Sequence, residues 1–231
     1  FLDTGLAHLR LSSANSINIG RLLPQSVYYV AAYLAVTGYA GQPVVFSVPS
    51  GNLGNLTAGV LAQRMGLPVA RWIAASNVND VLPEFLATGA YRAREAKATL
   101  SSAMDVGDPS NFARLLALHG KDHATLVRNV VGHIVDDRAT RESIRTVFRR
   151  TGYLLDPHTA VGYAAARRYL DDAGTRDPIV VLATAHPGKF AGAIAAELGF
   201  EPALPAPHHD WASRPLLTHA LDGADYADFR D

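Results

Sequence analysis

Val44-Val45-Phe46-Ser47-Val48-Pro49-Ser50-Gly51-Asn52-Leu53-Gly54-Asn55-Leu56 is the stretch that decides the fold. Four of residues 44–48 are apolar and β-branched or aromatic, the pattern of a strand buried on both faces. Residues 55–65 carry apolar groups at helical spacing. The two are joined by a short turn rich in glycine and small polar residues. The same strand-to-helix switch recurs along the chain. Ile179–Ala183 reads as a second buried strand and Arg71–Ala75 as a third, with His8–Leu11 and Gly152–Leu155 as shorter candidates. Helical spacing covers 18–37, where Ile19, Leu22, Leu23, Val27, Val30, Ala31 and Leu34 share a face. It also covers 55–65, 79–87, 109–118, 138–150, 158–172 and 188–198. Asp137 reads as an N-cap, and Pro109 suits a first helical turn. Alternation of this kind predicts an α/β fold, a mainly parallel sheet with helices on both faces. Ligands of such sheets bind beyond the strand C-termini, so the loops after Val48, Ala75 and Ala183 become the places to look. From Glu201 to Asp231 the chain is rich in Pro and His and reads as an irregular tail.

Composition narrows the function. The chain has 231 residues, 48% of them apolar, in the range of a folded globular protein. Charged residues are 18%, against about 25% in an ordinary domain. A low charge share means little surface per residue, or a face that packs against more protein. Lys+Arg and Asp+Glu are both 21, so no basic excess exists to hold a nucleic-acid backbone. The absence of cysteine excludes disulfides, thiolate catalysis and Cys-based metal sites. The longest mostly apolar stretch, Val30–Ala40, is too short for a bilayer. The chain starts Phe1-Leu2-Asp3-Thr4-Gly5, with neither an initiator Met nor a signal-peptide pattern, and reads as an internal start.

Three polar clusters could hold a ligand. Around Gly51 and Gly54 the backbone can turn several N–H groups into one concavity, and the helix behind adds its partial positive charge. That makes an anion cradle without lysine or arginine. It is neither a Walker A loop nor the dinucleotide fingerprint. Composition alone leaves open a plain tight turn. The second cluster is Ser13-Ala14-Asn15-Ser16-Ile17-Asn18-Ile19-Gly20-Arg21. Asn15 and Ser16 could hold an anion with Arg21 closing over it; the alternative is capping by Ser16 or Asn18 with Arg21 solvated. The third is Thr184-Ala185-His186-Pro187-Gly188-Lys189-Phe190. Thr184 is either a hydrogen-bonding ligand or a cap, and His186 reads as a loop histidine bonded to backbone. Asp156-Pro157-His158 reads as a helix start. Asp105 and Asn111 read as turn and capping residues. His208-His209-Asp210 lacks a third ligand at metal-site spacing, so no metal is expected.

Taken in order, five strings resemble the threonine synthase family, pyridoxal-phosphate enzymes of the tryptophan synthase β-like fold (fold type II). They are Ser13–Asn18 (SANSIN), Val48–Gly54 (VPSGNLG), Asn77–Asp80 (NVND), Thr99–Asp105 (TLSSAMD) and Thr184–Phe190 (TAHPGKF). The resemblance implies a cytoplasmic enzyme of threonine biosynthesis that turns O-phospho-L-homoserine and water into L-threonine and phosphate. It implies pyridoxal 5'-phosphate as cofactor. Gly51, Asn52, Leu53, Gly54 and Asn55 would cradle the cofactor phosphate through backbone N–H groups. Thr184 would hydrogen-bond the pyridine nitrogen, and Asn15, Ser16 and Arg21 would grip the substrate phosphate. Residues 1–200 would be the large cofactor-binding domain and 201–231 a tail.

The family's Schiff-base lysine lies upstream of the SANSIN-like string, in a part not present here. Lys97, Lys121 and Lys189 are the three lysines. None stands in the family's lysine motif. The expectation is therefore an incomplete chain that carries no catalytic residue, is inactive alone, and pairs with a missing N-terminal part of the same protein. Two other readings stay in view: a phospholyase of the same fold that releases a keto acid and ammonia, and a non-catalytic module that binds phosphate or pyridoxal phosphate. A hydroxyl at Thr184 stabilises a protonated pyridine nitrogen less well than a carboxylate, which weakens the electron sink. Thr184→Asp is expected to raise transaminase side activity in the full enzyme; product analysis showing unchanged partitioning would refute that role.

Overall fold

The computed structural model describes residues 3–38, 41–205 and, in the tail, 208, 213–215, 217, 218, 220, 225 and 226. The expected irregular tail thus lies mostly outside the described residues, as do His209 and Asp210. Four parallel strands, β1 (Val44–Pro49), β2 (Val69–Ser76), β3 (Val130–Ile134) and β4 (Ile179–Val181), form one sheet in the order β3-β2-β1-β4. Val45 pairs with Ile179 on one side and Arg71 on the other, and Trp72 pairs with Val130. The helices are α1 (Ile19–Leu22), α2 (Ser26–Thr37), α3 (Gly54–Arg64), α4 (Val81–Thr88), α5 (Phe112–Leu118), α6 (His123–Asn129), α7 (Asp137–Thr151), α8 (Pro157–Ala173) and α9 (Ala191–Leu198). Among the described residues, none is long and apolar enough to cross a membrane.

Every residue of β1 is buried, because both faces of the sheet are covered. Val44, Phe46 and Val48 face a core completed by Trp72, by Tyr29 and Tyr33 of α2, by Leu56 and Val60 of α3, and by residues of α4 to α6. Val45, with Ile73 and Ala75, faces Val161, Ala164 and Ala165 of α8. Ser47 points the same way and donates to the Gly162 carbonyl at 2.7 Å, so its buried hydroxyl is satisfied. Period-two alternation along β1 thereby assigns one helix layer to each face.

Several local expectations need correction. His8–Leu11 is not a strand: Thr4–Leu9 forms a 3-10 helix with no buried residue, started by Asp3, which accepts from the Gly5 N–H at 2.7 Å. A four-residue run without a neighbouring strand has no ladder to join. Gly152–Leu155 is not a strand either. Gly152 ends α7 in the left-handed region (φ 73°), and the next residues lead to the start of α8. The helix expected over 18–37 is interrupted at Leu23–Gln25, where Pro24 lacks an N–H and the turn tightens to 3-10 geometry. α7 is capped by Asp136, which accepts from Ala139 N at 2.8 Å; Asp137 instead accepts from Leu100 N. Pro109 precedes α5 in a turn instead of opening it, its carbonyl accepting from Phe112 N at 3.0 Å. β3 and α6 had no sequence expectation. β3 is a short edge strand in which Gly132 pairs with Ala74, and the missing side chain of Gly132 lets Pro83 of α4 approach.

The α3–sheet contact is tight. A Cβ on Gly59 would lie 2.5 Å from the Trp72 ring and 2.8 Å from the Tyr29 ring, and both rings are fully buried. Gly59→Ala is therefore expected to destabilise the protein by about 1–3 kcal/mol, read as a lower urea midpoint in far-UV circular dichroism.

Candidate functional site

β1 ends at Pro49, and Ser50 is fixed at once: its N–H donates to Ala75 O at 2.8 Å and its hydroxyl to Val48 O at 2.9 Å. The chain then turns through Leu53, which holds the left-handed conformation (φ 60°) with its side chain buried. For a residue with a Cβ that conformation costs roughly 1–2 kcal/mol. The result is a helix start that no side chain caps. No acceptor among the described residues takes the N–H groups of Gly51, Asn52, Leu53, Gly54 or Asn55. All five residues line a cavity of about 310 Å³. Five unmet donors at a helix N-terminus favour an anion.

Close packing sets the shape. A Cβ on Gly51 would lie 2.6 Å from the Met104 Cα, and one on Gly54 would lie 2.9 Å from the Ser16 Cβ. The Asn52 side chain ties the turn to two other segments. Its Nδ2 donates to Ser16 Oγ at 2.7 Å, and its Oδ1 accepts from Ser110 N at 2.6 Å. Asn111, fully buried, donates to Asn52 O at 3.1 Å and lies 3.3 Å from Ser16 Oγ. Arg114 donates to the carbonyls of Ser16 and Ile17. Asn55 is held from the other side by Tyr28 and Tyr29, whose hydroxyls both donate to its Oδ1. Burial pushes the Tyr28 phenol up to about 12, so it remains a donor.

Thr184 reaches the same cavity from just beyond β4. Its hydroxyl has no hydrogen-bond partner among the described residues. The turn around Asn52 and Thr184 therefore line one small space, although far apart in sequence. Met104, His158, Lys189 and Phe190 complete its wall. A second hollow of about 650 Å³ shares Gln25, Asn55 and Thr184 and runs along the outer edge of β4.

The SANSIN-like string is divided. Ser16 lines the cavity, whereas Asn15 and Arg21 do not and are exposed. Asn15 Oδ1 accepts from Ser13 Oγ and Ile17 N within its own turn, and Asn18 caps α1 through Gly20 N. His186 accepts from Gly188 N at 3.1 Å in a loop. Asn77 and Asp105 join in a buried knot, Asn77 Nδ2 lying 2.8 Å from Asp105 Oδ1, and Thr99 N donates to Asp105 Oδ2 at 2.9 Å. This knot fixes the 99–105 segment that supplies the Met104 wall. Ser110 and Arg114 were not foreseen, since neither stands in a recognisable motif. Among the described residues, no three His, Asp or Glu side chains gather as for a metal ion.

Comparison with known proteins places the fold in a family. Residues 23–185 match the family model "Pyridoxal-phosphate dependent enzyme", and residues 159–231 match "Threonine synthase, C-terminal". The chain is 43% identical over 222 residues to threonine synthase of Escherichia coli, covering 96% of this chain and 50% of that protein. It is 44% identical over 214 residues to that of Serratia marcescens, covering 92% and 48%. The crystal structure of the Escherichia coli enzyme superposes with a TM-score of 0.85 at 42% identity, over 97% of this chain and 51% of that one. A PLP-bound threonine synthase from Brucella melitensis gives 0.82 at 39% identity, over 91% and 50%. The chain spans about half the length of the curated relatives it matches.

Asn52→Ala removes the tie to Ser16 and Ser110 and leaves the Ser110 N–H without its acceptor. It is expected to cost about 1–3 kcal/mol, measured by chemical denaturation. With the fold and these matches in agreement, the chain belongs to the pyridoxal-phosphate dependent enzyme family, and its last third is similar to the C-terminal part of threonine synthases.

Proposed function

We propose that this chain is the cofactor-binding portion of a threonine synthase that uses pyridoxal phosphate to convert O-phospho-L-homoserine and water into L-threonine and phosphate. One observation carries the reading: the unmet N–H groups of Gly51 to Asn55 and the unpartnered Thr184 hydroxyl line a single cavity. Their chemistry fits the cofactor. Backbone donors at a helix N-terminus suit its phosphate, and a neutral hydroxyl suits its ring nitrogen. When bound, pyridoxal phosphate supplies an electron sink for charge developing at the substrate Cα.

The residues of this chain bind and orient. Gly51 to Asn55 hold the cofactor phosphate, and the buried tie of Asn52 keeps those amides aimed before the ligand arrives. Thr184 holds the ring nitrogen as donor or acceptor without adding a charge. Ser16 stands beside the cradle, and with Asn15 and Arg21 it forms the substrate-phosphate side. In the present arrangement Ser16 accepts from Asn52 and Asn111, and Asn15 and Arg21 lie outside the cavity, so a grip on the substrate phosphate requires them to move inward. Residues 1–200 act as the large domain, 201–231 as its tail, and the protein works in the cytoplasm.

The remaining parts come from an upstream region of the same protein. It supplies the lysine that anchors the cofactor and moves protons, and it shields the site from water. It also covers apolar surface: Leu9, Leu11, Ile17, Ile19, Leu23 and Val27 are each about half exposed or more on the segment before and within α2. That many exposed aliphatic groups along one segment suit a covered face.

The test supplies O-phospho-L-homoserine and pyridoxal phosphate to the protein with its upstream region and measures threonine, 2-ketobutyrate and phosphate. Threonine and phosphate in equal amounts are expected. Release of 2-ketobutyrate in place of threonine would assign phospholyase activity, and no turnover would leave a binding module. The chain alone is expected to give no borohydride-trapped adduct at a specific lysine.

A further inference from the structure

We propose that His158 is a positioning residue for the anion cradle, holding the Ala103–Met104 wall against Gly51 as a neutral imidazole with its proton on Nδ1. The inference rests on the reading of the cavity as a cofactor site. His158 is the second residue of α8 and lies buried at the cavity wall. Its Nδ1 is 3.0 Å from Asp156 Oδ1, and its Nε2 is 3.2 Å from the backbone nitrogen of Ala103. The ring also packs on Phe190, with centroids 5.0 Å apart. One side chain thus touches the start of α8, the 101–104 wall and the turn after β4.

The partners decide the tautomer. Burial acts to raise the Asp156 carboxyl, but hydrogen bonds from His158 and Thr159 outweigh it and hold it below the usual carboxylate range. An ionised acceptor beside Nδ1 places the proton there. The bare Nε2 then accepts from the Ala103 N–H. The other tautomer would set two donors face to face at Ala103 and a lone pair against Asp156.

A helix start does not need this ring. Asp156 already accepts from the backbone nitrogens of His158 and Thr159, at 2.9 and 3.3 Å. The bond to Ala103 is extra, and its place explains it. Ala103 precedes Met104, whose Cα leaves no room for a Cβ on Gly51. Wall and cradle are in hard contact, so what fixes the wall fixes the first amides of the cradle.

The test compares wild type, His158→Gln and His158→Leu in the protein with its upstream region. Gln keeps an acceptor near the Nε2 position, and Leu removes it. Hydrogen exchange at the Ala103 amide is expected to accelerate at least about tenfold in H158L and to stay within about threefold of wild type in H158Q. Affinity for pyridoxal phosphate, titrated by cofactor absorbance, is expected to fall about tenfold in H158L, equivalent to about 1.4 kcal/mol, and to recover in H158Q. Nitrogen NMR of His158 is expected to show a protonated Nδ1 and a bare Nε2. A proton on Nε2, unchanged exchange in H158L, or faster exchange with unchanged cofactor affinity would each overturn the proposal. If the wild-type protein binds no pyridoxal phosphate, the cofactor reading fails, while tautomer and exchange still decide the role of His158. If H158L does not fold, the wild-type tautomer and the affinity of H158Q decide it.

Discussion

A helix N-terminus that opens onto a cavity with no protein acceptor must be met by a ligand or by water. That constraint governs the region around Gly51 to Asn55. The start of α3 has no side-chain cap, and Leu53 is held in a left-handed conformation to bring the amides round. Asn52 could have capped the helix. Its side chain is instead spent on Ser16 and Ser110. The Asn52 side chain, which could have satisfied an amide, instead braces the turn, and the donors that face the cavity stay open.

The bracing is redundant, and each support reaches a different part of the chain. Asn52 and Asn111 hold the 16–17 segment, with Arg114 on its carbonyls. Tyr28 and Tyr29 hold Asn55. The Asn77–Asp105 knot holds the wall opposite Gly51. Most of these bonds lie in partly or fully buried surroundings, where a satisfied network is rigid and a broken one is costly. A small site gains its geometry from long-range polar ties more than from the sheet alone. The sheet sets where β1 and β4 end, and the ties set the positions of individual amides within that frame.

The parallel sheet and its two helix layers were legible in the sequence because β1 and β4 are short apolar runs between longer helical segments. The cradle and Thr184 were legible because glycine and small polar residues stand directly after strands. The edge strand β3 was not, since Gly132 and His133 break its apolar pattern and Pro83 contacts that arise only in the fold give it its place. His8–Leu11 shows the opposite failure: an apparent strand pattern with no partner strand to pair with. Arg114 and Ser110 were invisible for another reason. Their roles depend on chain segments nearly a hundred and nearly sixty residues away, and no local pattern encodes such a meeting. His158 read as part of a helix start, and only the distance to Ala103 shows its second bond.

The pairing of β1 with β4 brings together residues as remote as Val45 and Ile179. Closing so long a loop is entropically slow, and contacts of that separation form late when a chain folds. Strands β1 and β2 can pair from nearby sequence, the Asn52 turn gains its ties once Ser110 and Asn111 follow, and Thr184 arrives only with β4. During synthesis the wall lined by Gly51 to Asn55 is thus laid down well before the Thr184 wall, and the cavity between them closes only with the last strand of the sheet.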